Sequence, residues 1–478
     1  MKVEIPTSHL RFGFARVDIT PPVGIYHRMW GAARHDRAEG IHRSLYGDVL
    51  VFAPVEGDGI VVRANLDLVG LATEQHGALV AALGRAAGTD TDRVVVTYSH
   101  THAAGWFTPN RIPLPGGEMI PAYLEELEEK LVGTCKEAMA GMREVTITYA
   151  RGRCTMARNR DCWDGEMEGY VCGFNPEVEA DDTVMVGRVS DGEGQVVATL
   201  VNYACHPTTL AWDNTLISPD FIGSMREEVE QATGAPCTYA QGACGDLGPR
   251  RGFVGDTAVA DANGRELAYA ALGALTSMGT PGSDFHYQGP VVSGATLGAW
   301  GEAPFSEERW RGVRRFGGGF YSVDLPYKEG VDRETFARDL EEWTKREKEA
   351  DVRGDAAEAQ DCRARAERAR RWLARLDDLP GGKTYALRFS VHLMGDAVWC
   401  TCGAEPYNLI QTELRRRFPD LTIVFSPLSG NMQVAYLLPK DRYGKGLYQE
   451  EPSSLAPGCL EILTEAVAQR IGEVVETT

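Results

Sequence analysis

Three short runs of the sequence are apolar on both of the faces that a β-strand presents. They are VVVTYS at 94–99, VVATLVNYA at 196–204 and LTIVFS at 421–426. Strands of this kind lie in the middle of sheets that are covered on both sides. Longer stretches with helical periodicity alternate with such runs, which predicts an α/β fold with a mixed central sheet covered by helices.

The same patterns give the extents of individual elements. The predicted strands are 59–68, 93–98, 145–151, 195–203, 385–394, 397–402 and 421–426. The predicted helices are 121–141, 220–233, 408–417 and 458–475. The second helix follows Ser218-Pro219-Asp220, a good N-cap sequence.

Two segments depart from this alternation. Residues 331–378 are mostly polar and rich in Glu, Arg and Ala. They predict a helical hairpin inserted between strands, with Gly354 near its turn and its charges on an exposed face. The glycine-rich stretch RRFGGGFYS at 314–322 lacks the strand-to-helix context of a phosphate-binding loop and is interpreted as a mobile loop. The whole chain, 1–478, is predicted to be a single catalytic domain with this insertion.

The charge balance excludes several classes of partner. The 68 acidic residues outnumber the 49 basic ones, which gives a net charge of −19 and argues against binding to nucleic acid or anionic membranes. The N-terminal MKVEIPTSHLRFGF lacks the apolar region of a secretory signal, and the eleven cysteines form no disulfide framework. We therefore expect a cytoplasmic protein with reduced thiols that acts on a small molecule. The oligomeric state stays open, a homo-oligomer included.

Three of the ten histidines follow apolar strands. His100 and His102 come directly after VVVTYS, and His206 comes after ATLVNYAC. Side chains at i and i+2 of an extended segment point the same way, so His100 and His102 can face one cavity. Imidazole is a common zinc ligand and a common acid or base near neutral pH. For the pair alone, an ordinary polar strand end stays equally open.

Other candidates lie at two further strand ends. Glu405 follows the strand AVWCTC and could be a third zinc ligand, or could stabilise the helix that begins nearby. Asp246, in TYAQGACGDLGPRRG, could orient a histidine or stabilise its own turn. Cys205 and Cys244 lie beside these motifs, so a Cys–His nucleophile is conceivable, although small core residues are the simpler interpretation.

The motifs, taken in order, resemble the catalytic domain of the neutral ceramidase family, zinc-dependent enzymes that hydrolyse the amide bond of N-acyl sphingosines. The similar stretches run from about residue 15 to 455 and are ARVDITPPVG with MWGAA, SHTHAAG, ARNRD, NYACHPTTL, CGDLGPR, GAEPYN and AYLLPKDRYGKGLYQEE. The resemblance implies zinc ligands at four positions: His100, His206, Glu405 and Tyr436. It also implies that three residues line the site and contact the scissile carbonyl: His102, Arg160 and Tyr448.

The chain also departs from the family in ways that bear on its substrate. Gly248 stands where the family has a serine implicated in catalysis. A signal peptide and the C-terminal β-sandwich domain of secreted members are not found, and 331–378 is an unusual insertion. The predicted function is therefore a Zn²⁺-dependent hydrolase that cleaves the amide bond of a small soluble substrate with metal-activated water. The alternatives are a lactonase or esterase with the same centre, a non-catalytic metal-binding homologue, and a cysteine-dependent hydrolase.

Overall fold

The computed structural model describes residues 1–430 and 433–478. Its strands are β1 (Lys2–Val3), β2 (Thr7–Asp18), β3 (Gly40–Ile41), β4 (Tyr46–Ala53), β5 (Val61–Leu66), β6 (Val94–Tyr98), β7 (Arg143–Arg153), β8 (Ala157–Asn159), β9 (Asp161–Asp164), β10 (Gly169–Cys172), β11 (Thr183–Ser190), β12 (Val196–Tyr203), β13 (Leu216–Ile217), β14 (Cys237–Gln241), β15 (Leu247–Pro249), β16 (Ser283–Val292), β17 (Thr296–Pro304), β18 (Phe316–Pro326), β19 (Thr384–Met394), β20 (Ala397–Cys402), β21 (Glu405–Pro406), β22 (Thr422–Phe425) and β23 (Tyr436–Leu437). Its α-helices are α1 (Thr73–Ala87), α2 (Ile120–Ala140), α3 (Phe221–Thr233), α4 (Thr257–Thr276), α5 (Glu307–Val313), α6 (Arg333–Arg353), α7 (Ala356–Asp378), α8 (Leu409–Arg417) and α9 (Cys459–Thr477).

Two sheets form the centre of the molecule. The larger has eight strands in the order β14-β12-β11-β7-β2-β4-β5-β6, and the smaller has four in the order β18-β19-β20-β22. Both sheets are mixed, since β12–β14, β5–β6 and β20–β22 are parallel while their other pairs are antiparallel. The sheets face each other across one apolar layer that includes Phe52, Leu200 and Trp399.

Helices cover the outer faces of both sheets. Helices α1 and α2 pack on the β4–β6 half of the larger sheet, and α3 and α4 pack on its β11–β14 half. Helices α8 and α9 cover the smaller sheet. The predicted α/β architecture of a mixed sheet covered by helices is confirmed.

The predicted strands and helices are all present, with small differences at their ends. The expectation that VVVTYS and LTIVFS are central strands is wrong, because β6 and β22 are the last strands of their sheets. Both are nevertheless fully buried. The larger sheet curls until its two ends approach each other, as the hydrogen bond from Asn65 Nδ2 on β5 to Thr238 Oγ1 on β14 (3.1 Å) shows. An edge strand in a curled sheet is covered as a central one would be.

The glycine-rich stretch at 314–322 is not a mobile loop. Most of it belongs to β18, which pairs with β19 along its whole length. Gly318 has φ +95° and lies against the Val391 carbonyl, a conformation and an approach that a side chain would prevent. The glycines in this stretch therefore belong to a strand, where they allow close backbone packing.

The segment 331–378 forms a helical hairpin. Helices α6 and α7 are joined at Gly354, whose φ of +73° ends the first helix. The expectation that the hairpin's charges lie on an exposed face is wrong for Glu367 on α7, which is buried. Its carboxylate receives hydrogen bonds from Arg111 at 2.6 and 2.8 Å, outside the hairpin. One face of α7 is therefore docked on the body of the protein.

Among the described residues no helix is both long and apolar enough to cross a bilayer. All eleven cysteines are unpaired, and nine are buried.

Candidate active site

The end of β6 delivers His100 to a buried position. The apolar strand carries the chain into the core, and His100 then adopts a left-handed conformation with φ +67°. This conformation is strained for a residue with a Cβ and is held here by surrounding hydrogen bonds. The His100 amide donates to the Leu68 carbonyl at 2.9 Å, and Nδ1 donates to the Val69 carbonyl at 2.8 Å. Because the proton is on Nδ1, the Nε2 lone pair is free to bind a metal.

His206 is held in the same way at the end of β12. Its Nδ1 donates to the Cys244 carbonyl at 3.2 Å, which again leaves the Nε2 lone pair free. The ring centroids of His100 and His206 lie 4.8 Å apart, and the His102 ring lies 4.9 and 5.2 Å from them. The three imidazoles present ligand atoms that all lie within 4.8 Å of one another.

Glu405 and Tyr436 reach these histidines from the other side of the cleft. Strands β21 and β23 are only two residues long and pair in parallel, with Glu405 directly opposite Tyr436. One Glu405 carboxylate oxygen, Oε2, lies 3.3 Å from His100 Nε2 and 3.7 Å from His206 Nε2. The backbone pair therefore sets the carboxylate and the phenol side by side against the histidines.

The donor atoms fit a divalent metal ion. In a tetrahedral zinc site with ligand distances of about 2.0–2.1 Å, two ligand atoms lie about 3.3 Å apart, close to the spacing seen here. Three of the buried atoms, His102 Nε2, His206 Nε2 and Glu405 Oε2, have no hydrogen-bond partner in the described part of the chain. Buried polar atoms are rarely left unpaired, so their convergence points to a ligand between them.

Burial and neighbouring charge keep the imidazoles in the form that binds metal. Burial lowers the pKa of both His102 and His206 well below the usual range, and the positive charge of Arg160 adds to the effect on each. Burial opposes ionisation of Glu405, but His100 and Arg160 more than compensate and lower the pKa of this carboxyl. The site thus combines neutral His102 and His206 side chains with a charged carboxylate.

Arg160 connects the two sides of the cleft. Its guanidinium donates to the Gly245 carbonyl at 2.8 and 3.1 Å and to the Tyr436 hydroxyl at 3.0 Å. Tyr448 lies further out, with its ring 6.0 Å from that of Tyr436 and 49% of its surface exposed. A fixed guanidinium inside and a phenol at the mouth are suited to holding a substrate oxygen.

Asp246 lies behind this group. Its carboxylate accepts hydrogen bonds from the Asn408 amide at 2.7 Å, before α8, and from Asn159 at 3.4 Å. Burial raises the pKa of this carboxyl to about 6. The described contacts of Asp246 are with the start of α8 and with β8, and no hydrogen bond to a histidine is among them. A catalytic role for Asp246 stays a prediction.

The cysteines near the site are poor candidates for a nucleophile. Cys244 Sγ lies 3.4 Å from His206 Nδ1, on the side of the ring that faces away from Glu405. Burial raises the pKa of both Cys205 and Cys244 well above the usual range, so these thiols are not ionised near neutral pH. A thiolate is the reactive form of cysteine.

An aromatic wall beside His102 was not predicted as part of the site. The Trp30 ring lies 5.3 Å from the His102 ring and packs edge-on against Trp212 and Phe253 at 6.0 and 5.7 Å. All three aromatic residues are partly exposed. Trp30 belongs to MWGAA, one of the stretches that resemble the opening of the family sequence. This resemblance is the signal in the sequence that could have identified Trp30 as part of the site.

A buried histidine cluster with a carboxylate, at the strand ends of an α/β fold, is the kind of site that metal-dependent hydrolases use. The family model for neutral/alkaline non-lysosomal ceramidase, N-terminal, matches residues 10–260. This match covers more than half of the chain, which therefore belongs to the neutral/alkaline non-lysosomal ceramidase family, a family of hydrolases. The resemblance seen in the sequence is confirmed.

Two solved structures share the fold. A crystal structure of neutral ceramidase from Pseudomonas aeruginosa is similar with a TM-score of 0.66 and 16% identity, over 99% of this chain and 75% of that one. A structure described as ceramidase complexed with C2 gives a TM-score of 0.66 and 17% identity, over 98% of this chain and 76% of that one. At these identities the similarity establishes the fold.

Proposed function

We propose that this protein is a zinc-dependent hydrolase that cleaves the carbon–nitrogen amide bond of a small soluble substrate. The observation that carries the proposal is the convergence of three buried atoms that have no hydrogen-bond partner among the described residues. Two belong to the neutral imidazoles of His102 and His206, and one belongs to the charged carboxylate of Glu405. Membership of the ceramidase family supports amide hydrolysis as the reaction.

The zinc ligands in this proposal are His100, His206, Glu405 and Tyr436. The first two have Nε2 free because Nδ1 donates to a carbonyl, an arrangement typical of histidine ligands. A bound zinc supplies Lewis acidity, which lowers the pKa of a water from 15.7 to about 7 and polarises the scissile carbonyl. Glu405 and Tyr436 complete the set from the opposite wall.

His102 is the general base in this proposal. No backbone carbonyl fixes its ring among the described contacts, unlike those of His100 and His206, so it can accept a proton at Nε2. Burial lowers its pKa, which keeps the imidazole neutral and able to take a proton from water. It can then return the proton to the leaving amine.

Arg160 and Tyr448 hold the carbonyl oxygen as negative charge develops. The two hydrogen bonds to Gly245 fix the Arg160 guanidinium before substrate arrives, so little reorganisation is needed. A donor in this role contributes about 3 kcal/mol in other enzymes. With glycine at 248 no serine is available there, so the reaction proceeds by direct attack of water without an acyl-enzyme.

A cytoplasmic location and a soluble substrate also belong to the proposal. They rest on the net charge of −19, which opposes contact with anionic lipid.

Metal analysis and matched substrates test the proposal. Purified protein should bind one zinc per chain, lose activity with a chelator and regain it on zinc addition. Matched amides, esters and lactones with one acyl group should show a preference for the amide. A preference for the ester or lactone would favour the lactonase alternative, and full zinc occupancy without any turnover would favour a non-catalytic homologue. Activity that survives the chelator but not thiol alkylation would indicate a cysteine enzyme.

A further inference from the structure

The inserted hairpin covers the candidate active site. Gln360 Nε2 on α7 donates to the Ala32 carbonyl at 2.7 Å, and Arg371 donates to the Met29 carbonyl. These contacts hold the segment that carries Trp30 against His102. At the other side of the mouth, Trp372 Nε1 donates to Glu451 at 2.7 Å, three residues after Tyr448. Helix α7 therefore spans the two segments that bound the mouth of the site.

The interface between α7 and the body of the protein contains more positive than negative charge. Glu367 lies within 4 Å of four guanidinium groups, those of Arg28 (3.7 Å), Arg111 (2.6 Å), Arg370 (3.1 Å) and Arg371 (2.8 Å). Of these four arginines only Arg28 has a second carboxylate within that distance among the described residues, Asp36 at 3.4 Å. Two carboxylates thus face four guanidinium groups.

Arg375 adds a fifth cation on the same face. Residues 367, 371 and 375 follow one another at four-residue intervals and lie along one side of the helix. No carboxylate in the described parts of the chain forms an ion pair with Arg375. Its guanidinium carbon lies over the Trp372 ring, 5.0 Å from the ring centroid. Arg375 is partly buried, and burial lowers the pKa of its guanidinium, whereas the charges of Glu451 and Glu405 oppose that effect. A partly buried cation without an ion-pair partner is unusual, since buried charges are normally paired.

We propose that Arg371 and Arg375 form an anion subsite on the part of α7 that covers the site. This subsite selects amides that carry a carboxylate near the scissile bond. N-acyl amino acids are the simplest substrates of this class. The inference rests on the proposed amide hydrolysis and names its substrate class. A planar guanidinium matches a carboxylate through two parallel hydrogen bonds, and Arg371 is already fixed by its stacking over Trp106 at 4.8 Å. These two arginines supply positive charge that the acidic surface of the protein lacks.

Matched substrates that differ in one charge test the subsite. The probes are N-acetyl-, N-hexanoyl- and N-benzoylglycine, each beside its neutral glycinamide, with N-benzoylaminomethylphosphonate to separate a carboxylate from a phosphonate preference. The zinc-loaded enzyme should prefer the carboxylates by at least about tenfold in kcat/KM, because a charged hydrogen bond contributes about that factor. Arg375→Gln should remove most of the preference through KM, and Arg375→Lys should keep part of it. Equal rates on acids and neutral amides would overturn the subsite, and a phosphonate preference would overturn its selection of carboxylates. Either result would leave amide hydrolysis intact.

A binding measurement decides the inference independently of turnover. Calorimetry with metal-free protein should detect the N-acylglycines and not the glycinamides, and Arg375→Gln should weaken this binding by about tenfold or more. The matched control is Arg365→Gln, on the same helix, where Arg365 is half-exposed and pairs with Asp361 at 2.8 Å. Arg375 has no ion pair to lose, so its variant should fold, which thermal melting checks. Binding that is equal in both variants, or absent in the parent protein, would refute the subsite.

Discussion

The candidate site is built from two regions that reach it by different routes. The histidine region comes from the larger sheet, where long buried strands end and backbone carbonyls fix His100 and His206 separately. The carboxylate region comes from two-residue strands beside the smaller sheet, where Glu405 and Tyr436 are placed by pairing with each other. Each histidine is thus positioned on its own, whereas Glu405, Tyr436 and Arg160 form a connected group. Substitutions in the two regions should therefore differ in kind as well as in size.

The largest effect is expected in the histidine region. His206→Ala removes a ligand atom that nothing nearby can replace, and zinc should be lost together with more than about 100-fold in kcat/KM. Zinc content by mass spectrometry and activity on an amide panel measure this. His286→Ala, in β16 and away from the site, is the control and should keep both. Stoichiometric zinc in His206→Ala would remove this residue from the ligand set.

A smaller effect is expected for the carboxylate. Glu405→Gln keeps the shape of the side chain but removes the charge that faces His100 at 3.3 Å. The amide oxygen is a weaker ligand, so zinc affinity should fall about 10- to 100-fold, measured by competition with a chelator. If Glu405→Gln binds zinc as tightly as the parent protein, Glu405 does not hold the metal and His102 would take its place in the ligand set.

Tyr436→Phe tests the connection between the residues of the carboxylate region. It removes the hydroxyl that receives the Arg160 hydrogen bond at 3.0 Å while leaving the ring in place. The hydroxyl is also a proposed zinc ligand, but burial raises its pKa well above the usual range, so it is neutral and the weakest of the four ligands. We therefore expect about a tenfold loss in kcat/KM, about the contribution of one hydrogen bond to a charged group. A double-mutant cycle with Glu405→Gln should show non-additive losses, since the two side chains share contacts. Additive losses would mean that they act separately.

The same comparison explains what the sequence could and could not predict. His100, His102 and His206 could be grouped from the sequence because a long apolar strand and the polar residue after it are adjacent in sequence. Tyr436 could be assigned only through the family resemblance, because its position depends on a two-residue pairing with a distant segment that leaves no periodic pattern. Arg371 and Arg375 were interpreted as surface charges, because helical periodicity does not show which face of α7 docks. The strand at 316–326 was missed because its glycines serve backbone packing.

Acidity should act on the buried histidines and on the buried carboxyls in opposite directions. Burial lowers the pKa of His102 and His206, and that of His27 to about 4, so the unfolded chain binds more protons below pH 6.5 and stability falls as pH falls. Asp246 has its pKa raised to about 6, so the folded chain binds the extra proton and gains stability as pH falls through 6. Burial also raises the pKa of Asp220 to about 6. The histidines with lowered pKa outnumber these carboxyls, so the metal-free protein should lose stability between pH 6.5 and 5.

Denaturant unfolding of metal-free protein at several pH values measures this balance. Asp246→Asn removes the opposing contribution and should steepen the dependence below pH 6 by about 1 kcal/mol per pH unit. An unchanged slope in the variant would show that Asp246 titrates as it does in the unfolded chain.

The smallest effect is expected at Gly248, where the two regions leave room between them. A Cβ at 248 would lie 3.7 Å from Arg160 Cδ and 3.9 Å from Thr208 Oγ1, which are ordinary contacts, and the backbone there is not left-handed. Gly248→Ser should therefore fold with a free energy of unfolding within about 1 kcal/mol of the parent and keep its zinc.

Gly245→Ala is the contrasting variant. Its Cβ would lie 2.8 Å from the Glu405 carbonyl oxygen, at the point where the turn of the histidine region contacts the carboxylate region. It should lose about 1–3 kcal/mol, measured by thermal melting, and weaken zinc binding as Glu405 shifts. Equal stability in the two variants would mean that the contact at Gly245 does not hold the regions together.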